Sequence, residues 1–260
     1  MSDAVLYDVR DGVARVTINR PEAMNAADAS VREGLRAAFE AAAEDAEVRA
    51  VLLTGAGDRA FCVGQDLKEL LPLYESKDPD LGGIVAGFNE AITALASLEK
   101  PTVAAVNGAA AGAGASLAFA CDFRIASKKA TFTTSFSKIG LVPDTGGSWT
   151  LPRLVGAAKA LELFMLSEPV RAEEALALGL VTNVVGEDVE GEALAFTQRL
   201  AAGPTVAYGY LKRLIAASNG TLAESLALEA ELQAAAGRTE DHVNAVRSFL
   251  AKETPEFRGY

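Results

Sequence analysis

Two runs of small residues and one isolated acid carry the chemistry that this chain's side chains suggest. Ala60-Phe61-Cys62-Val63-Gly64-Gln65-Asp66 and Gly108-Ala109-Ala110-Ala111-Gly112-Ala113-Gly114 read as turns that each follow a strand, and Pro143-Asp144-Thr145-Gly146-Gly147 comes later. Small residues let backbone N–H groups approach a ligand oxygen, and N–H groups aimed at a developing negative charge stabilise it. The N–H groups of Gln65 and Ala113 are the candidate donors. Asp144 is the only acid in these motifs with an evident catalytic placement. Its neighbours Ile139, Leu141, Val142, Trp149 and Leu151 are apolar, and a carboxyl in such surroundings has a raised pKa and can shuttle protons. The expected site holds an anion and moves one proton.

Each of these residues also has a purely structural reading. Asp66 is suited to capping a helix that opens at Leu67, and Asp144 to capping one that starts after Pro143. Gly112 and Gly114 allow close packing on a sheet. The 108–114 run is not a dinucleotide fingerprint, because Leu117 stands where the third glycine belongs and no acid closes a following strand at the expected distance. Ser116 has no His or paired Lys nearby to activate it, so it reads as a helix residue at the pocket edge. Arg59 and Lys68 flank the first turn, where cations can meet phosphate or simply face water. His242 is the only histidine and has no partner motif, which argues against a Ser-His-Asp triad or a His-ligated metal.

The elements that must position these groups alternate. Residues 5–9 and 13–18 read as strands around the Asp11-Gly12 hairpin signal. Val31, Leu35 and Phe39 recur at helical spacing before a strand at 50–54. A helix with Ile84, Phe88, Ile92 and Leu95 precedes strands at 102–106 and 123–125. Such alternation implies an α/β fold with a largely parallel sheet and ligands near the strand C-termini. After about Gly147 the periodicity is helical, over 157–166, 191–200, 207–217, 222–232 and 243–250. No Ser/Gly/Pro linker divides the chain. The expected organisation is a core over 1–200 carrying the site and a helical region over 201–260.

With 260 residues, half of them apolar, the chain can bury a large core. A net charge of −11 argues against a nucleic-acid or anionic-membrane binder, although a local basic patch can still hold phosphates. Cys62 and Cys121 are the only cysteines, so no disulfide framework is indicated. No basic segment followed by an apolar run opens the chain, and nothing approaches the ~20 apolar residues that span a bilayer. A cytoplasmic, soluble, unprocessed protein is expected.

Several separated blocks resemble the crotonase, or enoyl-CoA hydratase/isomerase, family across nearly the whole chain. They are Asn19-Arg20-Pro21-Glu22-Ala23-Met24-Asn25-Ala26, residues 60–67, Lys100-Pro101-Thr102 through Asn107-Gly108, Cys121-Asp122, and the tail from Phe249 to Phe257. The resemblance implies a β-β-α spiral core with a C-terminal helical region used in trimer contacts, and two trimers often forming a hexamer. It implies an acyl-CoA thioester substrate, with coenzyme A as part of that substrate and no separate cofactor or metal. The oxyanion-hole N–H groups then fall on Gln65 and Ala113. Ala23, Met24 and Ala26 border the CoA cleft beside Gly64, Asp66 and Gly112. Arg59 and Lys68 lie near the CoA phosphates, and Lys252 and Phe257 reach a neighbouring subunit's CoA. Glu253 departs from the basic residue common in the family tail.

The acids mark the main departure. Hydratases of the family use two glutamates, and those positions hold Ser116 and Phe136 here. Adding water requires one group to activate it and another to deliver a proton. Asp144 instead matches the single acid used by family isomerases. The stretch from Ser135 to Trp149, with residues 111–116, is similar to ring 1,2-epoxyphenylacetyl-CoA isomerases of phenylacetate breakdown, whose relatives also shift enoyl double bonds. The expected activity is acyl-CoA isomerisation. Enoyl-CoA hydration, and a non-catalytic acyl-CoA- or RNA-binding role, are the alternatives.

Overall fold

In the computed structural model, residues 3–76 and 80–260 are described. Ten strands run in chain order: β1 (Val5–Arg10), β2 (Val13–Ile18), β3 (Ala50–Gly55), β4 (Ala60–Cys62), β5 (Thr102–Val106), β6 (Ala109–Ala111), β7 (Phe123–Ser127), β8 (Thr131–Thr133), β9 (Val170–Arg171) and β10 (Asn183–Val185). The helices are α1 (Ala29–Glu44), α2 (Leu70–Tyr74), α3 (Gly82–Ser97), α4 (Ala113–Ala120), α5 (Gly147–Val155), α6 (Ala157–Leu166), α7 (Ala172–Ala177), α8 (Val189–Ala201), α9 (Thr205–Ala216), α10 (Leu222–Ala236) and α11 (Glu240–Ala251).

The strands form two sheets, ordered β1-β2-β3-β5-β7-β10 and β4-β6-β8-β9. Among the described residues only the β1–β2 and β8–β9 pairs are antiparallel. A long strand of the first sheet feeds a short strand of the second, and a helix then returns the chain. β3-β4-α2-α3, β5-β6-α4 and β7-β8-α5 are three turns of this β-β-α spiral. The hairpin at Asp11-Gly12 forms as the sequence predicts, with both residues at positive φ.

β3 and β5 are buried along their whole length, because the large sheet is covered on both faces. Val51, Leu53, Ala104 and Val106 belong to the main core with Leu35 and Phe39 of α1 and Leu95 of α3. Alternate residues Ala50, Leu52, Val103 and Ala105 pack with Val189 and Ala193 of α8.

The crossings between sheets would leave carbonyls without partners, and two asparagines supply them. The Asn25 amide donates to Ala56 O (3.0 Å) and Ala60 O (2.8 Å). The Asn107 amide donates to Gly55 O (2.8 Å) and Gly57 O (2.7 Å). Lys100 Nζ satisfies the end of α1 through Ala42 O and Asp45 O, each at 2.6 Å. The Asp122 carboxylate receives Thr102 N–H (2.8 Å) and Lys212 of α9 (2.8 Å).

Two expectations are corrected. Residues 109–111, expected within a turn, form strand β6, paired in parallel with β4 and β8. The chain after Gly147 is not wholly helical, since β9 and β10 complete one edge of each sheet. Both are too short to show a period of two.

The packing of α4 on β4 yields a test. A Cβ on Gly114 would lie 2.0 Å from the Cys62 carbonyl oxygen, whereas nothing stands within 4 Å of one on Gly83 in α3. Gly114→Ala is expected to lose at least ~1–3 kcal/mol of stability through overpacking. Gly83→Ala should gain up to ~1 kcal/mol from helix propensity. Urea midpoints at constant slope measure both. Equal midpoints for the two variants would contradict this account of the α4–β4 contact.

Candidate active site

The two small-residue turns meet. Gly64 has φ +88°, and a Cβ there would lie 2.8 Å from Ala111 O and 3.1 Å from Ala113 N. Glycine is required for both the conformation and the approach. On the other side, Ala27 N–H donates to Gly64 O (2.7 Å) and Asp66 N–H to Ala27 O (3.0 Å). In an extended segment successive N–H groups alternate in direction, so Gln65 N–H faces away from Ala27. Among the described residues it has no acceptor. Ala113 opens α4 after Gly112 (φ +52°, ψ −125°), and its N–H also lacks an acceptor, as first-turn amides do. Two free donors thus come from adjoining segments, one at a helix N-terminus where partial positive charge favours an anion.

The side chains of the first turn are engaged elsewhere. Arg32 Nη1 donates to Gln65 Oε1 (2.8 Å), and Gln65 Nε2 donates to Glu69 Oε2 (2.6 Å). The buried Arg32 guanidinium also grips both Glu69 oxygens, at 2.8 and 3.1 Å, and lies over the Phe88 ring of α3. Burial pushes the Glu69 carboxyl up, but the hydrogen bonds from Arg32 and Gln65 outweigh it and hold the group below its ordinary value. Asp66 accepts from Arg20 Nη2 (3.0 Å) and from Lys68 N–H (3.1 Å). It therefore caps the short helical turn Leu67–Glu69, as its type suggests.

Asp144 does not cap a helix, which corrects that reading of it. α5 begins at Gly147 with Gly146 at the N-cap and no capping side chain. Asp144 instead opens a tight turn, its carbonyl accepting from Gly147 N–H (2.8 Å) while Thr145 and Gly146 have φ +52° and +72°. Thr145 Oγ1 donates to Asp144 Oδ1 (2.8 Å). Burial raises the Asp144 carboxyl above its ordinary value, and the Thr145 bond only partly offsets this. α4 abuts the turn, for Ser116 Oγ lies 2.5 Å from where a Cβ on Gly147 would sit. The helix that presents Ala113 N–H thus also contacts the turn that presents Asp144.

Of the other residues singled out from the sequence, Ser116 and Phe136 are buried. Ala23, Met24 and Ala26 run beside the first turn through the Ala27–Gln65 bridge, and Arg20 Nη1 holds Ala26 O (2.6 Å). Arg59 and Lys68 are exposed. Lys252 and Phe257 are not brought to this cluster within one chain. The tail docks beside Asp11, Gly12 and Arg49 at the start of β2 and β3, where Arg49 Nη1 donates to Phe257 O (2.7 Å). Burial pushes the Cys62 thiol up to about 11 and Cys121 to about 12, so neither supplies a thiolate at neutral pH. The sequence reading missed Arg32, Glu69 and Thr145. Thr145 lies within a motif already quoted, but Arg32 and Glu69 stand 37 positions apart with no shared pattern.

The Enoyl-CoA hydratase/isomerase family matches residues 8–260. The chain is 41% identical, over 262 residues and the full length of both proteins, to 1,2-epoxyphenylacetyl-CoA isomerase of Escherichia coli strain K12. It is also 41% identical over 258 residues, 98% of each protein, to a Rhodobacter capsulatus protein assigned as an enoyl-CoA hydratase. A solved structure from Mycobacterium abscessus, assigned as an enoyl-CoA hydratase/isomerase, superposes with a TM-score of 0.95 at 40% identity, covering 99% of this chain and 100% of the other.

The Arg32 clamp generates a prediction. Arg32→Met leaves Glu69 and the Gln65 amide oxygen without their cation. Breaking a buried pair costs ~3–5 kcal/mol, and the low end is expected because Glu69 keeps contact with water. Because folding lowers the Glu69 value, its contribution is full above the unfolded value near ~4.3 and fades as pH falls. Urea midpoints of wild type and variant should therefore differ at pH 7 and converge toward pH 3. A constant gap would show that the pair does not carry the effect.

Proposed function

The chain belongs to the enoyl-CoA hydratase/isomerase family, and from that premise we propose that it is an acyl-CoA isomerase. The thioester carbonyl accepts hydrogen bonds from Gln65 N–H and Ala113 N–H. Asp144 removes a proton from the α-carbon of a 3-enoyl thioester, giving an enolate whose charge rests on the thioester oxygen. The protonated Asp144 then delivers that proton to the γ-carbon, leaving the 2-enoyl product and the carboxylate regenerated. One carboxylate suffices because the same group serves both ends of the allylic system. Rearrangement of a ring 1,2-epoxyphenylacetyl thioester to an oxepin thioester would draw on the same donors. The E. coli relative, named as that isomerase, supports this branch.

The observation that carries the reading is the state of the acids. Asp66 and Glu69, the carboxylates of the first turn, are tied to Arg20 and Arg32, while among the described residues no cation lowers the Asp144 carboxyl. Ser116 and Phe136 cannot supply the acid and base that hydration needs. Ala23, Met24 and Ala26 are proposed to border the CoA, with Arg59 and Lys68 toward its phosphates.

The decisive experiment incubates the protein with 2-enoyl, 3-enoyl and aryl-epoxide CoA thioesters in deuterated water. Isomerised product and deuterium at the α- or γ-carbon are expected, with negligible hydration of crotonyl-CoA. Asp144→Asn should lower kcat by ~10⁴-fold, the upper end for general acid–base catalysis, with binding of the product CoA thioester largely kept. Hydration at a rate comparable to isomerisation, or a variant within a few-fold of wild type, would overturn the assignment.

We also propose that α9–α11 build a trimer or a hexamer. Ile215, Phe249 and Leu250 are 73%, 81% and 77% exposed, an apolar surface that a second copy would cover. Light scattering at micromolar concentration should give a trimer or hexamer mass, and a stable, active monomer would refute this. Lys252 and Phe257 would then approach a neighbour's CoA.

A further inference from the structure

We infer that Thr145 is a positioning residue for the proton transfer, because its hydroxyl fixes Asp144 Oδ1 and leaves Oδ2 as the oxygen that meets substrate. The inference rests on the reading of Asp144 as the acid/base. Its first support is the backbone. The turn from Asp144 to Gly147 places its two central residues at positive φ, a geometry that favours Asn, Asp or Gly. A β-branched residue there is a genuine outlier. Thr145 is also 1% exposed, so neither local propensity nor solvation explains it. Strain that persists at a buried position beside a reactive group points to a use for the side chain.

That use is visible in the hydrogen bonds. Thr145 Oγ1 donates to Asp144 Oδ1 at 2.8 Å; the carboxyl's other hydrogen-bonding group is its own backbone N–H, and among the described residues no side chain donates to Oδ2. Among the described residues, the surrounding elements supply no competing charge. α4 brings Ser116 Oγ against Gly147, α3 brings Ile92 against Gly146, and Arg153 of α5 stacks on the Trp149 ring at 3.7 Å. Among the described residues no charged side chain acts on Asp144, so the Thr145 hydroxyl is the one side-chain donor that stabilises its ionised form. Asp144 must start ionised to accept a proton. Removing the donor raises its pKa and moves the acidic limb of the activity profile upward.

Thr145→Val keeps the shape and the strain but loses the donor. Thr145→Ser keeps the donor, and Thr145→Gly loses it while relieving the strain. The assay is the pH profile of kcat/KM with 3-hexenoyl-CoA, alongside a ¹³C NMR titration of the Asp144 carboxyl, assigned by its loss in Asp144→Asn. In Thr145→Val and Thr145→Gly both the limb and the carboxyl titration should move up by about one pH unit, the scale of one hydrogen bond to a charged group. Thr145→Ser should retain the wild-type values. If both donor-less variants titrate like wild type while Asp144→Asn is inactive, Thr145 plays no part in proton transfer and the base assignment survives. If Asp144→Asn remains active, the base assignment itself fails and takes this inference with it.

Discussion

The contact between Gly64 and the start of α4 is the constraint on which the rest of the site depends. Two N–H groups can share one oxygen only if their backbones come within a few ångströms, and a side chain at Gly64 would occupy the space where Ala111 and Ala113 sit. The same demand recurs one layer deeper, where Gly114 packs on the Cys62 carbonyl. The spiral makes this possible. β4 and β6 are parallel neighbours, so the segments leaving them emerge side by side. Asn25 and Asn107 hold the crossings that place those strands. Residues that look like family signatures in the sequence thus act largely as backbone struts.

Electrostatics then separates the acids by the partners each one has. Asp66 and Glu69 lie on the first turn, Asp66 paired with Arg20 and Glu69 with Arg32, and the hydrogen bonds from Arg32 and Gln65 hold the Glu69 carboxyl below its ordinary value. That makes Glu69 a poor proton acceptor. Asp144 is partly desolvated, has only a hydroxyl and backbone for company, and sits above its ordinary value. Proton affinity is therefore set by partners rather than by residue type. Arg32, with Glu69, also holds the Gln65 side chain, so that its backbone is what is presented between the turns.

What the sequence made legible follows from what has a period or a stereotyped turn. The Asp11-Gly12 hairpin, the buried runs of β3 and β5 and the long helices α1, α3 and α8 each declare themselves over five or more residues. The second sheet does not, because β4, β6 and β8 have three residues each and β9 has two. A run of three alanines followed by glycine carries no strand signal, so β6 was hidden inside an apparent turn. Asp144 was visible as the lone acid, but its surroundings were not. Asp before a Thr-Gly-Gly run resembles a helix cap, and only the positive φ of Thr145 and Gly146 shows that the chain turns once more before α5 begins. The Arg32–Gln65–Glu69 cluster joins α1 to the first turn across distances in sequence that no local pattern reports.

The reaction proposed here can change without rebuilding this frame. The donors at Gln65 and Ala113 belong to the backbone, and their placement depends on glycines and strand pairing that side-chain exchange at other positions leaves alone. Ser116 and Phe136, by contrast, are side chains set into finished elements, on α4 and just before a short helical turn. A hydroxyl and a phenyl ring at those positions remove two sites for proton exchange with water. One pair of residues thus lowers the capacity to activate water and favours a single carboxyl that carries a proton between two carbons. On the proposed reading, the choice between adding water and moving a double bond rests with a few side chains, while stabilisation of the enolate rests with the fold.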